Sequence, residues 1–202
     1  MTTESDRAMQ WCDKAEIAEL AQRWAYARDQ NRWEPLLACY QVDARMTVSW
    51  FDGLARDFVD ACRARSSGFN KHYINGTVAS VDGDRAIAES NVFMVTQTAV
   101  AGAELNAQGY FRFLDELARV AGSWRIARRT AVYERDSLAL LDPGATLDLD
   151  PAALEKIPRA YRYMGYRFVK AGATLRAGIA IAGSELEAAL RADGERWLNG
   201  AR

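Results

Sequence analysis

The stretch Phe69–Val95, FNKHYINGTVASVDGDRAIAESNVFMV, decides how the chain is read. Residues Thr77–Val81 and Arg85–Val95 alternate well enough to be half-buried strands. Between them, Asp82-Gly83-Asp84 carries the Asp-Gly pair that supplies the positive-φ positions of a tight hairpin turn. His72 stands at the front of this hairpin, where a strand leaves a connecting segment, and it is the only histidine among 202 residues. Functional side chains concentrate at such junctions of loop and rigid scaffold. Imidazole is also the side chain that exchanges a proton near neutral pH. Position alone leaves a second reading open, a surface or merely packed ring.

Upstream, Asp13 with Glu16 three residues on has the form of an N-cap opening a helix that runs to Asp29. Ile17, Leu20, Ala21, Trp24 and Ala25 repeat at three- and four-residue spacing and make its core face. Tyr26, Asp29 and Trp33 form a second stripe at i, i+3 and i+7, on which a phenol and a carboxylate project the same way. Pro35 suits the first turn of a short helix over Glu34–Tyr40. Arg45–Phe51 is rich in strand formers and ends at a turn signal, Asp52-Gly53. Leu54–Arg65 predicts a helix with Phe58, Val59 and Cys62 inward, stopped by Ser66-Ser67-Gly68.

Downstream, Ala99–Ala103 suits a turn. Leu105–Val120 is open between strand and helix, with Gly109 and the Tyr110, Phe111, Phe113 cluster favouring a bulged strand. Gly122-Ser123 is another turn, and Trp124–Arg135 reads as a last strand with Trp124, Ile126, Val132 and Tyr133 as its apolar members. Helices and one strand, then a run of long antiparallel strands, is an α+β pattern: a curved sheet wrapped over helices. From Leu138 the character changes, with Pro143, Pro151 and Pro158 marking a connector. Two helices follow, Pro158–Ala171 and Ser184–Leu198, the second with Leu186, Ala189, Leu190, Trp197 and Leu198 on one side. The chain therefore divides into a domain over residues 1–137 and an extension over 138–202. The extension is expected to dock on the sheet domain, on a partner subunit or across the mouth of a pocket.

Composition narrows the function classes. Half of the residues are hydrophobic, enough for a sizeable core, and a net charge of −1 gives no electrostatic case for nucleic acid or an acidic membrane surface. No run of 18 apolar residues exists, and the N-terminal MTTESDRAMQ lacks the apolar stretch of a signal peptide. Cys12, Cys39 and Cys62 are odd in number and lack CxxC spacing, so a reducing cytoplasm, ordinary buried thiols and no zinc set are expected. Phosphate-loop, serine-hydrolase and zincin motifs are absent. Six tryptophans and eight tyrosines are enough to line a pocket for an aromatic ligand or to fill a core.

Three features resemble the SnoaL-like branch of the NTF2-like superfamily, which includes scytalone dehydratase and bile-acid 7α-dehydratase. The first helix leads into Asp29-Gln30-Asn31-Arg32-Trp33, similar to the family's Asp-x-x-x-Trp step into helix two. Lys71-His72 at a strand start, followed by Val81-Asp82-Gly83-Asp84-Arg85-Ala86, resembles its histidine strand and hairpin. Ser123-Trp124-Arg125-Ile126 resembles its terminal strand. Together they span residues 12–137, and the extension with Tyr161-Arg162-Tyr163 and Arg196-Trp197-Leu198 looks like that of longer members among aromatic-degradation enzymes.

The resemblance implies an NTF2-like cone with a pocket between curved sheet and helices, no cofactor and usually no metal, and a homodimer or homotrimer through the open sheet face. Dehydratases of the superfamily use a His with a Tyr and an Asp, and here His72, Tyr26 and Asp29 occupy the matching regions. One departure is visible: relatives often place the Tyr about five residues before the Asp, where this chain has Trp24. The residue types suit acid–base elimination, with imidazole as base, a phenol holding the departing oxygen and a carboxylate orienting the ring. Trp50, Asn91, Tyr110 and Tyr133 are candidates for the substrate wall, each with core packing or a sheet edge as its plainer role. Glu89 and Arg112 read as solvated or interfacial charges, and Arg128-Arg129 as a solvated face or an anion site. The expected activity is a cofactor-independent lyase on a small aromatic or polycyclic molecule, by dehydration or by retro-aldol-like loss of formaldehyde. An isomerase or cyclase with the same base and a non-catalytic binding module are the alternatives.

Overall fold

The structure is a computed structural model that describes residues 3–65 and 68–200. Helix α1 spans Glu4–Asp29 and starts well before Asp13, because Thr3 and Asp6 close a capping box at its true N-terminus. Asp13 instead binds across the fold, its carboxylate accepting from Arg119 Nη2 at 2.6 Å and from the Trp124 indole at 3.1 Å. Glu16 accepts from the Trp124 backbone N–H at 3.0 Å, so the Asp13/Glu16 pair anchors α1 to the sheet rather than capping it. Ile17, Leu20, Ala21, Trp24 and Ala25 are buried as the core face. The chain turns through Asn31, at φ 56°, into α2, Trp33–Leu37. That turn separates Trp33 from the helical stripe of Tyr26 and Asp29.

Strand β1, Tyr40–Val48, takes Tyr40 from the expected second helix. It reverses at residues 49 and 50, not at Asp52-Gly53, and returns as β2, Phe51–Leu54. Asp52 in β2 instead receives Arg45, Thr47 and Arg176. Helix α3, Ala55–Ala64, buries Phe58, Val59 and Cys62, and the stop at Ser66-Ser67 lies outside the described residues.

Four long strands follow: β3 Asn70–Asp82, β4 Arg85–Val100, β5 Ala103–Val120 and β6 Ser123–Leu140. They form an antiparallel meander in a sheet ordered β2-β1-β6-β5-β4-β3, with β1 parallel to β6. In the first hairpin, Gly83 alone takes positive φ (55°), and in the next two Ala101-Gly102 and Ala121-Gly122 both do. Residues 103–120 are strand because apolar side chains alternate along their length, with Leu105, Ala107, Phe111, Phe113 and Leu117 all buried. The bulges sit on β3 and β6. Asn75-Gly76 oppose Asn91, and on β6 Ala127 and Glu134 are the extra residues. Such insertions bend and twist the strands that carry them, and the sheet curves around α1.

Under α1 lies a buried ion pair. Arg129 on β6 donates to Asp115, its register partner on β5, at 2.7 and 2.6 Å, with side chains 1% and 2% exposed. Its guanidinium sits between Trp24 at 4.7 Å and Phe113 at 4.3 Å. Arg129 is thus neither a solvated charge nor an anion site, while its neighbour Arg128 reaches toward Glu116 at the surface. Of the cysteines, Cys39 and Cys62 are buried and Cys12 is exposed.

The extension packs on both faces of the same chain's sheet. After α4, Pro151–Glu155, a 3₁₀ turn at Arg159–Tyr161 leads into α5, Arg162–Lys170. Gly165 permits the close fit of α5, since a Cβ there would lie 2.7 Å from an Ile157 methyl. Strand β7, Ala180–Ile181, adds parallel to β6. Helix α6, Glu185–Leu198, is capped by Ser184 and crosses the outer face. Its sheet-facing line is Glu187, Leu190, Gly194 and Trp197, whereas Leu186 and Ala189 are exposed.

The reason is electrostatic: Glu187 joins Glu89, Glu134, Arg112 and Arg191 in one network that latches α6 to β4, β5 and β6. Burial raises the Glu187 pKa, but Arg112, the Gly183 amide and Arg191 outweigh it and hold the carboxyl down at about 2. Glu89 is lowered, first by Arg191 and also by Arg112 against its burial.

Both groups bind protons more weakly folded than unfolded, so their contribution is full above the unfolded value of 4.5 and disappears as pH falls toward about 2. Acidification through that window is expected to raise hydrogen exchange in α6 before β4–β6 open, and Glu187→Gln to flatten the response. In the core, Asp115→Ala is expected to lower unfolding free energy by about 3–5 kcal/mol, because it leaves the Arg129 charge buried and unpaired. A paired replacement, Asp115→Leu with Arg129→Met, is expected to cost less than the single change in denaturant titrations.

Candidate active site

A cavity of about 1120 Å³, counted out to its open mouth, lies between the concave sheet, α1, α3 and α5. Phe58 from α3, Phe111 and Phe113 from β5, and Trp24 from α1 make much of its wall. On β3, His72 pairs with Met94 of β4 and turns into this space. Asp29, the last residue of α1, meets it with both oxygens. Oδ1 stands 2.6 Å from His72 Nδ1 and Oδ2 accepts from the His72 backbone N–H at 2.7 Å. A carboxylate at a helix C-terminus opposes the helix dipole, and the two bonds from His72 offset that cost. With its side chain 3% exposed, Asp29 is held by this pair of contacts.

The bond to Nδ1 assigns the proton of the neutral ring to that nitrogen. Nε2 is left as a lone-pair acceptor with no hydrogen-bond partner among the described residues. Trp24 fixes the ring from the side, edge-on at 5.5 Å, and its own indole N–H is held by the Tyr40 hydroxyl at 2.6 Å. The position where relatives often carry a tyrosine therefore holds an aromatic buttress here.

Among the residues expected from the sequence, His72 and Asp29 come together, and Trp50 and Tyr133 line the cavity with them. Trp50 stacks on Phe58 at 5.4 Å. Tyr26 does not enter the cavity: the residue is 55% exposed, its ring beneath the Lys71 ammonium at 5.4 Å, in a separate cleft that Asp29 and His72 also line. It lies two residues from Trp24, about 200° around the helix, and faces away from the wall that Trp24 builds. Asn91 and Tyr110 fall on the outer face of the sheet by strand parity. Their neighbours Val92 and Phe111 are buried inward, while Asn91 is exposed and Tyr110 ends an outer ladder of Tyr73, Phe93 and Tyr110.

Two phenols, Tyr133 and Tyr161, stand in the cavity wall instead. Tyr133 on β6 accepts from the Ser49 N–H at 3.0 Å, and Tyr161 of the extension donates to Ser49 Oγ at 2.5 Å. Burial pushes both phenols up, so each remains a protonated O–H donor at neutral pH. Tyr161 and Ser49 carry no local signal in the sequence, since they meet only when the extension folds back on the β1–β2 turn. Among the described residues, no group of three His, Cys, Asp or Glu is placed to hold a metal ion, and no helix is long and apolar enough to cross a membrane.

The single imidazole makes the dyad testable by nitrogen NMR. The ring is expected as the Nδ1–H tautomer when neutral, and Asp29→Asn is expected to mix the two tautomers. An Nε2–H tautomer in the unsubstituted protein would contradict the geometry.

Comparison with known proteins agrees with this architecture. The profile of the SnoaL-like domain matches residues 9–130. Among curated proteins, pea pathogenicity protein 2 of Fusarium vanettenii is 26% identical over 159 residues, covering 76% of this chain and 68% of that one. Among solved structures, Rv3472 of Mycobacterium tuberculosis, a protein of unknown function, superposes with a TM-score of 0.58 at 20% identity, covering 87% of this chain and 98% of that one. A candidate scytalone dehydratase of Novosphingobium aromaticivorans does so with a TM-score of 0.54 at 17% identity, covering 71% and 99%. LinA gives 0.54 at 18% identity, covering 74% and 100%. At these identities the structures speak for the fold, and the profile, which spans more than half of the chain, speaks for descent. By fold and by profile, this chain belongs to the SnoaL-like family and has the NTF2-like architecture.

Proposed function

We propose that the protein is a lyase that needs no cofactor and acts by acid–base chemistry on a small aromatic or polycyclic molecule. The observation that carries this reading is the His72–Asp29 pair at the wall of an aromatic cavity, with Nε2 free of partners among the described residues. In the reaction Nε2 takes a proton from the substrate, and the Asp29 carboxylate stabilises the imidazolium that results. The Tyr133 hydroxyl, kept protonated by burial, donates to the substrate oxygen on which charge develops. For dehydration the proton leaves carbon, the C–O bond breaks and the departing oxygen is protonated to water. Retro-aldol-like loss of formaldehyde is the other route open to the same base. It takes the O–H proton of a hydroxymethyl group, the C–C bond breaks to release formaldehyde, and the carbon that keeps the electron pair is protonated by the imidazolium. The fold shared with a candidate scytalone dehydratase favours dehydration by analogy only.

The test is a mass-spectrometric screen of hydroxylated aromatic compounds. Loss of about 18 mass units identifies dehydration and about 30 formaldehyde loss. His72→Ala is expected to reduce turnover by about 10² to 10⁴-fold, with Asp29→Asn and Tyr133→Phe also impaired and Tyr26→Phe unchanged. Full turnover by His72→Ala on a substrate the unsubstituted protein converts would refute the assignment of the base.

A further inference from the structure

Three arginines, Arg28, Arg65 and Arg167, line the cavity that holds His72, and the Asp29 carboxylate behind the imidazole is occupied by its two bonds to His72. None of the three has a carboxylate within 4.0 Å among the described residues. Arg28, one residue before Asp29, faces the Cys62 thiol, and its charge works against the burial that raises that thiol's pKa. Arg65 lies over the Trp50 ring at 4.8 Å. Arg167, on α5 across the mouth, rests on Phe168 at 4.7 Å, and its Nε is buried without a hydrogen-bond partner. Arg129, Arg162 and Arg176 also carry a buried unpaired N–H, but Arg129 and Arg176 have a carboxylate on the rest of the fork, and Arg162 sits outside the cavity wall where its charge acts on Asp136.

A desolvated guanidinium without an anion is costly, and buried N–H groups without partners are rare enough to require an explanation. Burial lowers the Arg167 pKa and outweighs the opposing influence of the Tyr161 phenol. The planar fork of arginine matches a carboxylate bidentately. The remaining walls, with Trp50, Phe58, Phe111 and Phe113, fit an aromatic body.

We propose that the substrate of this cavity is an aromatic acid, whose carboxylate is received by Arg167 with Arg28 and whose ring lies against Trp50 and Phe58 toward His72. This rests on the cavity being the substrate site, and it adds a charge requirement that the acid–base chemistry does not contain. Arg28 and Arg167 are then specificity residues, and α5 brings one of them from the extension to the mouth.

The test is calorimetric titration of the full chain with 4-hydroxycinnamate and with its uncharged methyl ester. Charged hydrogen bonds of this kind discriminate by about 10-fold or more, so the acid is expected to bind more tightly by at least that factor, with the preference falling as salt rises. Arg167→Gln is expected to abolish the preference while leaving ester binding unchanged, and Arg28→Gln to reduce it. Because Arg167→Gln removes an unpaired charge, its melting temperature is expected not to fall. If that variant does not fold, Arg28→Gln carries the same comparison. Equal affinity for acid and ester, a preference unchanged in both variants, or no binding of either probe at millimolar concentration overturns the proposal. The readout is binding, so the two readings separate. Acid preference without any turnover fails the lyase chemistry alone, whereas turnover dependent on His72 with no acid preference fails this inference alone.

Discussion

The positive charge of Arg129 in the middle of the domain constrains much of what surrounds it. An ion of that size under α1 is tolerable only with a bidentate acceptor, and Asp115, directly opposite on β5, supplies it. The faces of the guanidinium are then covered by Trp24 and Phe113. Those two rings are in edge contact with each other at 5.1 Å, and both belong to the cavity wall. Trp24 in turn supports His72. The register of β5 against β6, the depth of α1 in the sheet and the orientation of the His72 ring are therefore set by one connected set of contacts.

The site shows a division of labour between elements. The imidazole is on a strand, where neighbouring hydrogen bonds fix the backbone, and its orienting carboxylate is on the last residue of a helix. Asp29 grips both the ring and the backbone of His72, so the dyad and the α1–β3 packing are the same contact. The phenols come from β6 and from the extension, which ties the completeness of the cavity to the docking of residues far away in the chain.

The extension is held by two kinds of force. On the cavity side, Tyr161, Met164 and Phe168 add apolar surface to the wall. On the outer face, α6 is held by the glutamate–arginine network and by Trp197, whose indole donates to the Leu117 carbonyl at 3.1 Å and whose ring lies under Arg85 at 4.8 Å. Acid weakens the second set and leaves the first, so the two sides of the extension respond differently to the same change of conditions.

The amino-acid sequence by itself determined the α+β class, the order of the long strands, the hairpin at Gly83 and the special standing of His72. Each of these rests on a local cause: alternation along a strand, a residue able to take positive φ, a side chain that occurs once. It also put Asp29 at the end of the first helix, since i, i+3 and i+4 relations are local geometry. What it did not contain was partner choice across the fold. Asp13 looks like a cap until Arg119 and Trp124 arrive, and Glu187 looks exposed until Arg112 lies beneath it. Asn91 and Tyr110 went to the wrong face because a strand offers two faces and only the bulges and register decide between them. Tyr161, Ser49 and Arg167 join the cavity by tertiary folding alone, because the contacts that bring an extension back onto its domain are between residues with no proximity in sequence.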